Sequence, residues 1–380
     1  MRYYLIAGEA SGDLHASLLM GALKAKDPTA EFRYWGGEKM EAVAPGKVRD
    51  YRDTAVMGIV EVLAKAGRIR RNLEFCKADI LQFRPDAVIL IDYPGFNLKI
   101  ARFAHENGLK VFYYIAPKVW ASREKRVEQL KRYVDSLMVI FPFEVEWFRS
   151  RGIEPVYEGN PLVDSIRTKL DEAPAREQFL KDNGLEDKPV IALLAGSRLQ
   201  EIKFLAPRFN RLAYLLSRPG SPLHDRQLVI AAAPGISREI YESYFGASGI
   251  KVVYDATCPL LKYADAAVVA SGTASLETAI IGTPQVVCYG MNPLSFHIAM
   301  SILKVKYISL ANLILDKLIF KELLQEKCTP EAIAAELEQL VCNAACRTAM
   351  QQDYADVRAR LGAPGAAERY AEHIIKDIAG

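Results

Sequence analysis

The sequence predicts an α/β fold built from two halves of nucleotide-binding type, and three observations carry that prediction. Short apolar runs at 3–7, 87–91, 190–194 and 266–270 have the pattern of strands buried on both faces of a parallel sheet. Each run ends in a turn of small or polar residues that leads toward a helix, the βαβ order of a doubly wound sheet. A loose, charged segment at 165–188, with Pro174, Asn183 and Gly184, divides the chain into two such series.

Composition narrows the class further. The 380 residues suffice for two domains, each with its own core. Hydrophobic residues make up 51% and charged residues 25%, which argues against extended disorder. A net charge of +3 gives no support to wholesale nucleic-acid binding, so any basic effect is local. Cysteines at 76, 258, 288, 328, 342 and 346 have neither CxxC nor zinc-like spacing, which fits reduced thiols in a cytoplasmic protein. No stretch approaches the roughly 18 uninterrupted apolar residues of a membrane span. The amino terminus runs directly into a strand-like segment, so no export signal is expected.

In chain order, the first strand ends in Gly8-Glu9-Ala10-Ser11-Gly12-Asp13, with a helix expected over about 14–26. This turn is not GxGxxG, so the dinucleotide fingerprint is absent. Glu9, Ser11, Gly12 and Asp13 form either an open floor for a sugar acceptor or a capped strand-to-helix connection. Residues 56–71 set apolar Val60 and Leu63 ahead of Arg68 and Arg71. That pattern suits a membrane interface with anionic lipid, or a core helix with a solvated basic end. The strand at 87–91 runs into Asp92-Tyr93-Pro94-Gly95-Phe96-Asn97. A carboxylate beyond the carboxyl end of a strand is placed to take a proton from a substrate hydroxyl, or to cap the next helix, for which Asn97 is better placed. Strands are expected at 110–115 and 136–140, with a basic helix at 123–132 whose charged face is either solvated or meets a phosphate.

The second series opens with a strand at 190–194 and the turn Ala195-Gly196-Ser197-Arg198. Arg198 either clamps a phosphate bidentately or pairs with Glu201 on the surface. Strands follow at 227–232, 251–253 and 266–270. The stretch 264–290 then packs strand, small-residue turn, helix, Gly-Thr-Pro and a further strand into one βαβ unit. Its turn, Ser271-Gly272-Thr273, leaves backbone N–H groups and a helix dipole for an anion.

Two nucleotide-fold halves without a dinucleotide fingerprint or a P-loop point to a two-lobed glycosyltransferase. The chain resembles the lipid-A-disaccharide synthase family in seven segments that occur in order over nearly its whole length. These are 8–13, 91–97, Trp120-Ala121-Ser122-Arg123, Gly196-Ser197-Arg198, 271–277, Ser309-Leu310-Ala311-Asn312 and Leu324-Gln325-Glu326. The resemblance implies a GT-B-type fold, two Rossmann-like domains facing a cleft. The acceptor domain would span 1–165, joined by helices within 346–380, and the UDP-sugar domain 189–345.

The implied reaction takes UDP-2,3-diacylglucosamine and 2,3-diacylglucosamine 1-phosphate (lipid X) to a β-1,6-linked disaccharide 1-phosphate and UDP, with inversion. Asp92 matches the family's essential aspartate and is the expected base; Gly95 stands where a second acidic residue often follows the Asp-x-Pro triplet. Arg198 and the amides at Gly272 and Thr273 would take the leaving charge, and Glu277 the ribose hydroxyls. Ser197, Asn312, Gln325 and Glu326 are carried over as further donor contacts, and Asn97 to the acceptor side. No metal and no cofactor beyond UDP as donor carrier and product are expected. The implied setting is the cytoplasmic leaflet of the inner membrane, peripherally, with a homodimer as one open assembly. Rival readings are a peptidoglycan GlcNAc transferase, a UDP-GlcNAc 2-epimerase or a non-catalytic lipid-binding protein.

Overall fold

The computed structural model describes residues 1–54, 66–292, 296 and 305–380. Its compact units are Met1–Asp164 with Leu361–Gly380, and Ser165–Arg360.

The first unit is built on a six-stranded sheet in the order β3-β2-β1-β4-β5-β6. Its strands are β1 Arg2–Ala7, β2 Glu31–Gly36, β3 Lys47–Asp50, β4 Ala87–Ile91, β5 Lys110–Tyr114 and β6 Ser136–Met138. Every described pairing is parallel. Parallel strands need helical crossovers that cover both faces, which is why β4 reads Ala-Val-Ile-Leu-Ile with all five residues fully buried. Each such Leu, Ile or Val contributes about 1.5–3 kcal/mol on burial. Helix Ala66–Phe83 supplies buried Cys76 and Ile80 to this core, while Arg68 and Arg71 at its amino end are exposed. Val60 and Leu63, the apolar half of the expected membrane patch, lie outside the described residues.

The second unit repeats the plan. Its strands are β7 Val190–Leu194, β8 Gln227–Ala231, β9 Lys251–Val253, β10 Ala266–Ala270, β11 Gln285–Tyr289 and β12 Glu322–Leu324. They pair in the order β12-β11-β10-β7-β8-β9, again parallel. In both sheets the first strand of the unit lies in the middle, next to the fourth. That neighbour pair is the topological switch point, where ligands of open α/β sheets bind beyond the strands' carboxyl ends.

The chain end departs from the expected division. Helix Ala344–Leu361 stays with the second unit: Gln285 Nε2 donates to the Tyr354 hydroxyl, and Arg360 donates to the Ile314 carbonyl. Only helix Ala366–Ala379 returns to the first unit, packing along helix Ala10–Lys26. Asp164 caps it by accepting from the Gly365 and Ala366 amides. The segment expected to be loose also holds helix Pro161–Asp171 and helix Arg176–Asp182, and the second unit begins at Ser165, ahead of the expected 189.

Tyr370 fastens the returning helix. Its buried hydroxyl lies within hydrogen-bond distance of the Val139 and Gly159 carbonyls, at 2.5 and 3.0 Å, and accepts from the Glu158 amide at 3.1 Å. Tyr370→Phe leaves these buried groups without that partner. It is expected to destabilise the fold by about 1–3 kcal/mol, read as a lowered urea midpoint with unchanged slope.

Candidate active site

At the switch point of the first unit, β4 ends and the chain turns sharply. Asp92 and Tyr93 both take left-handed backbone conformations, with φ of 41° and 47°, which side chains other than glycine rarely adopt. Ile115, at the end of neighbouring β5, does the same at φ 63°, and its carbonyl accepts from the Asp92 amide at 3.3 Å. The Asp92 carbonyl is held by the Tyr113 hydroxyl at 2.6 Å and by Asn97 Nδ2 at 2.9 Å. Asn97 is fully buried and also reaches the Ile6 and Ile91 carbonyls. Gly8 is required by the same turn: a Cβ there would meet the Tyr93 ring at 2.3 Å.

With the backbone fixed, the Asp92 carboxyl is left half-buried and without an ion pair among the described residues. Burial, and then the Glu9 carboxylate, push its pKa up to about 6, against the pull of Lys118 and the Tyr93 amide. A carboxylate at that value is ionised at neutral pH yet basic enough to take a proton. Glu9 accepts from Ser11 Oγ at 2.6 Å, and both are exposed beside the strand end.

Two residues expected on the acceptor side bond to the protein's own backbone. Asp13 is buried and accepts from the backbone amides of Gly37, Lys39 and Met40, so it caps helix Glu38–Val43. Asn97 holds carbonyls at the ends of β1 and β4 and has its amide nitrogen committed to them. Gly12 is buried, where a Cβ would sit 3.2 Å from that of Ala7, so its service is close packing of helix on strand.

Three groups of the first unit, Glu144, His15 and Lys118, were not singled out by the sequence reading. Glu144 is buried and accepts from Trp120 Nε1 at 2.8 Å and from the Ile140 and Phe141 amides. Burial lifts its pKa to about 7 despite those donors. His15 is buried and neutral, its pKa pulled down to about 4 by burial and by Lys118. Lys118 is exposed, and its charge bears on Asp92, His15 and Glu144. Its position just past a strand end was the available signal.

In the second unit, two helices begin at the switch point and differ in how their first amides are treated. At helix Leu199–Leu216, Glu201 turns back and accepts from the Ser197 and Arg198 amides at 2.8 and 3.2 Å, so this helix start is filled by its own carboxylate. Gly196, at φ 98°, permits this: a Cβ would meet Glu201 Oε2 at 2.3 Å. Arg198 Nη1 pairs with Glu201 at 3.2 Å, but its side chain is 66% exposed, where such pairs are worth about 0–1 kcal/mol. The guanidinium is therefore cheaply redirected to a ligand.

Helix Thr273–Ile281, after β10, is the opposite case. Gly272 is its N-cap, at φ 155°, with no side-chain cap on the first amides and open space where a Cβ would stand. Those amides and the helix dipole suit a diphosphate. One turn on, Glu277 is half-buried, its pKa raised by burial and moderated by Lys169, with no ion pair among the described residues.

Asn312 and Gln325, expected as donor contacts, are used by the protein itself. Asn312 is fully buried, donates to the Phe320 carbonyl and to Glu322, and accepts from the Ile319 amide. Gln325 exchanges two hydrogen bonds with the Met291 backbone. Only Glu326 of that motif is exposed. Among the described residues no group of three His, Cys, Asp or Glu side chains has metal-binding geometry, and no helix is long and apolar enough to cross a membrane.

Two parallel six-stranded units with polar groups gathered at their switch points define a GT-B-type α/β protein. The fold is similar to the UDP-GlcNAc 2-epimerase from Neisseria meningitidis bound to UDP-GlcNAc, with a TM-score of 0.65 at 12% identity over 99% of this chain and 100% of that one. It is also similar to the calicheamicin glycosyltransferase, with a TM-score of 0.61 at 16% identity over 100% of both chains. Residues 3–375 match the family described as lipid-A-disaccharide synthetase, and the chain belongs to that family of glycosyltransferases. It is 39% identical to the lipid-A-disaccharide synthase of Myxococcus xanthus over 99% of this chain and 97% of that protein. It is 33% identical to the one of Coxiella burnetii over 97% and 96%. The 2-epimerase and GlcNAc-transferase alternatives are not favoured.

The electrostatics around Asp92 set an expected pH dependence. The acid limb of kcat/KM should fall near pH 6, where Asp92 becomes protonated. Glu9→Gln removes a neighbouring negative charge, favours the Asp92 anion and should move that limb to lower pH in a rate profile.

Proposed function

We propose that the protein transfers the 2,3-diacylglucosaminyl group of UDP-2,3-diacylglucosamine to the 6-hydroxyl of 2,3-diacylglucosamine 1-phosphate. The products are a β-1,6-linked disaccharide 1-phosphate and UDP. The observation that carries this reading, beyond family membership, is the division of labour between the switch points. The first unit offers a carboxylate tuned as a base, and the second an open helix start flanked by a redirectable arginine.

In this scheme the acceptor hydroxyl gives its proton to Asp92 as its oxygen attacks the donor's anomeric carbon. The bond from that carbon to the diphosphate breaks on the opposite side, so the α-linked donor yields a β product in a single displacement. The electron pair leaves with UDP. Its growing charge is met by the amides at Gly272 and Thr273 and by Arg198, groups already oriented before the reaction. Glu277 takes the ribose hydroxyls. Ser197 contributes through its side chain, because its amide is committed to Glu201. Glu9 and Ser11 border the acceptor. No metal or organic cofactor enters the scheme.

The acyl chains of both substrates argue for peripheral attachment to the cytoplasmic leaflet of the inner membrane, with Arg68 and Arg71 facing anionic headgroups. A homodimer is compatible with the scheme and is not required by it.

Asp92→Asn should reduce kcat by about 10²–10⁴-fold while the fold and UDP binding persist. Near-normal UDP release by the folded variant would remove Asp92 as the base. Arg198→Ala should lower kcat by roughly 10²-fold, measured as UDP release with both substrates saturating. Unchanged kcat would release Arg198 from the leaving-group role.

A further inference from the structure

Trp120 opens one of the seven segments that carry the family resemblance, yet the scheme above gives it no part. It lies on the loop that leaves β5. Its Nε1 donates to Glu144 Oε1 at 2.8 Å, and its ring stands edge-on to that of Phe143, with centroids 4.9 Å apart at 89°. Phe143 in turn lies parallel to Phe141, at 5.6 Å and 1°. Phe141 and Glu144 are buried, whereas Trp120 and Phe143 are each half-buried. Part of two large rings therefore reaches the surface of the first unit.

The support beneath the rings is rigid. Glu144 also accepts from the Ile140 and Phe141 amides at 3.1 and 3.0 Å, so one buried carboxylate ties the indole to the start of helix Pro142–Arg149. Asn160 Nδ2 holds the Ile140 carbonyl at 2.9 Å. The indole N–H is thereby committed inward, and a phenylalanine ring carries no polar atom. What the two rings offer outward is apolar contact without a hydrogen bond.

Their place relative to Asp92 follows from the sheet. The Asp92 amide donates to the Ile115 carbonyl at the end of β5 at 3.3 Å, and the Ala116 amide donates to the Met138 carbonyl at the end of β6 at 3.0 Å. Ile91 is level with Tyr114, and Tyr114 with Met138. Neighbouring strands lie about 4.8 Å apart, so the segment that leads from β6 to Phe141 and Phe143 starts about 10 Å from the end of β4. A hexose ring fits that interval. In the acceptor proposed above, the amide-linked chain leaves the ring at C2, across from C5, which bears the 6-hydroxymethyl group. With the 6-hydroxyl at Asp92, the first methylenes of that chain reach the end of β6.

We infer that Trp120 and Phe143, fixed by Glu144, form the contact for the amide-linked acyl chain of the acceptor. A chain matches the pair better than a bare sugar face does, because sugar hydroxyls require hydrogen-bond partners and these rings have none to give. The inference rests on the reaction proposed above and names the part of its acceptor that this edge of the first unit recognises.

The test uses glucosamine 1-phosphate acceptors whose 2- and 3-acyl groups are either fatty acyl or only acetyl, presented in mixed micelles of fixed composition. Equilibrium binding is measured without donor, and UDP release with donor. Wild-type protein should favour the fatty-acyl acceptor. Phe143→Ala, which leaves the bond between Trp120 and Glu144 in place, and Trp120→Ala should each raise KM for that acceptor by roughly 10- to 100-fold, with kcat little changed. Neither variant should alter KM for the acetyl acceptor. Phe143→Leu should restore most of the loss, since a chain needs apolar surface and not an aromatic face. Melting curves check that each variant is folded. Equal losses on both acceptors would assign the rings to the sugar or to the fold and overturn the inference, as would unchanged KM in both alanine variants. If wild-type protein released no UDP from either acceptor, the proposed reaction would fail. The contact would then stand or fall on whether binding depends on chain length and whether Phe143→Ala removes that dependence.

Discussion

The first unit's strand edge depends on one carbonyl. The oxygen of Asp92 accepts from the Tyr113 hydroxyl and from Asn97 Nδ2, and those two bonds hold consecutive non-glycine residues in left-handed backbone. Each such residue costs on the order of 1–3 kcal/mol, so the turn persists only because buried neighbours overdetermine it. In return the side chain of Asp92 is lifted past the end of β4 with its carboxyl unpaired. Burial and Glu9 then set its proton affinity. Gly8 is part of the same device, since no larger residue leaves room for the Tyr93 ring.

The two units share a strand order but spend their switch points differently. In the second, Glu201 fills the amino end of helix Leu199–Leu216, taking up its local amides and leaving Arg198 in an exposed ion pair. Helix Thr273–Ile281 keeps its first amides open because Gly272 brings no capping side chain. On the proposed reading, one fold plan yields a proton acceptor in one copy and an anion receiver in the other. An inverting transfer from a nucleotide diphosphate needs both.

The central strands were legible because burial on both faces leaves an uninterrupted apolar run, as in β1, β4, β7 and β10. Strands β2, β3 and β12 were not: β2 carries Glu31 and Arg33 within it, β3 reads Lys-Val-Arg-Asp and β12 opens on Glu322, so their patterns match those of loops. The strand-end positions of Asp92, Arg198 and Gly272 were legible because such a turn is a local event. Asp13, Asn97, Asn312 and Gln325 show the limit of motif reading. A polar residue in a turn looks the same whether its partner is a substrate or the protein's own backbone, and here all four bond to backbone groups. Glu144 was hidden for the converse reason: its buried bond to Trp120 joins residues 24 positions apart, which no local spacing encodes.

The central claim is that the fold prepares Asp92 as a base before any substrate arrives. The most direct measurement is a carbon-13 NMR titration of aspartate carboxyls in the ligand-free protein, with Asp92 assigned by loss of its signal in Asp92→Asn. A midpoint near pH 6 is the result this account requires. A midpoint near the ordinary aspartate value of about 3.9 would contradict it.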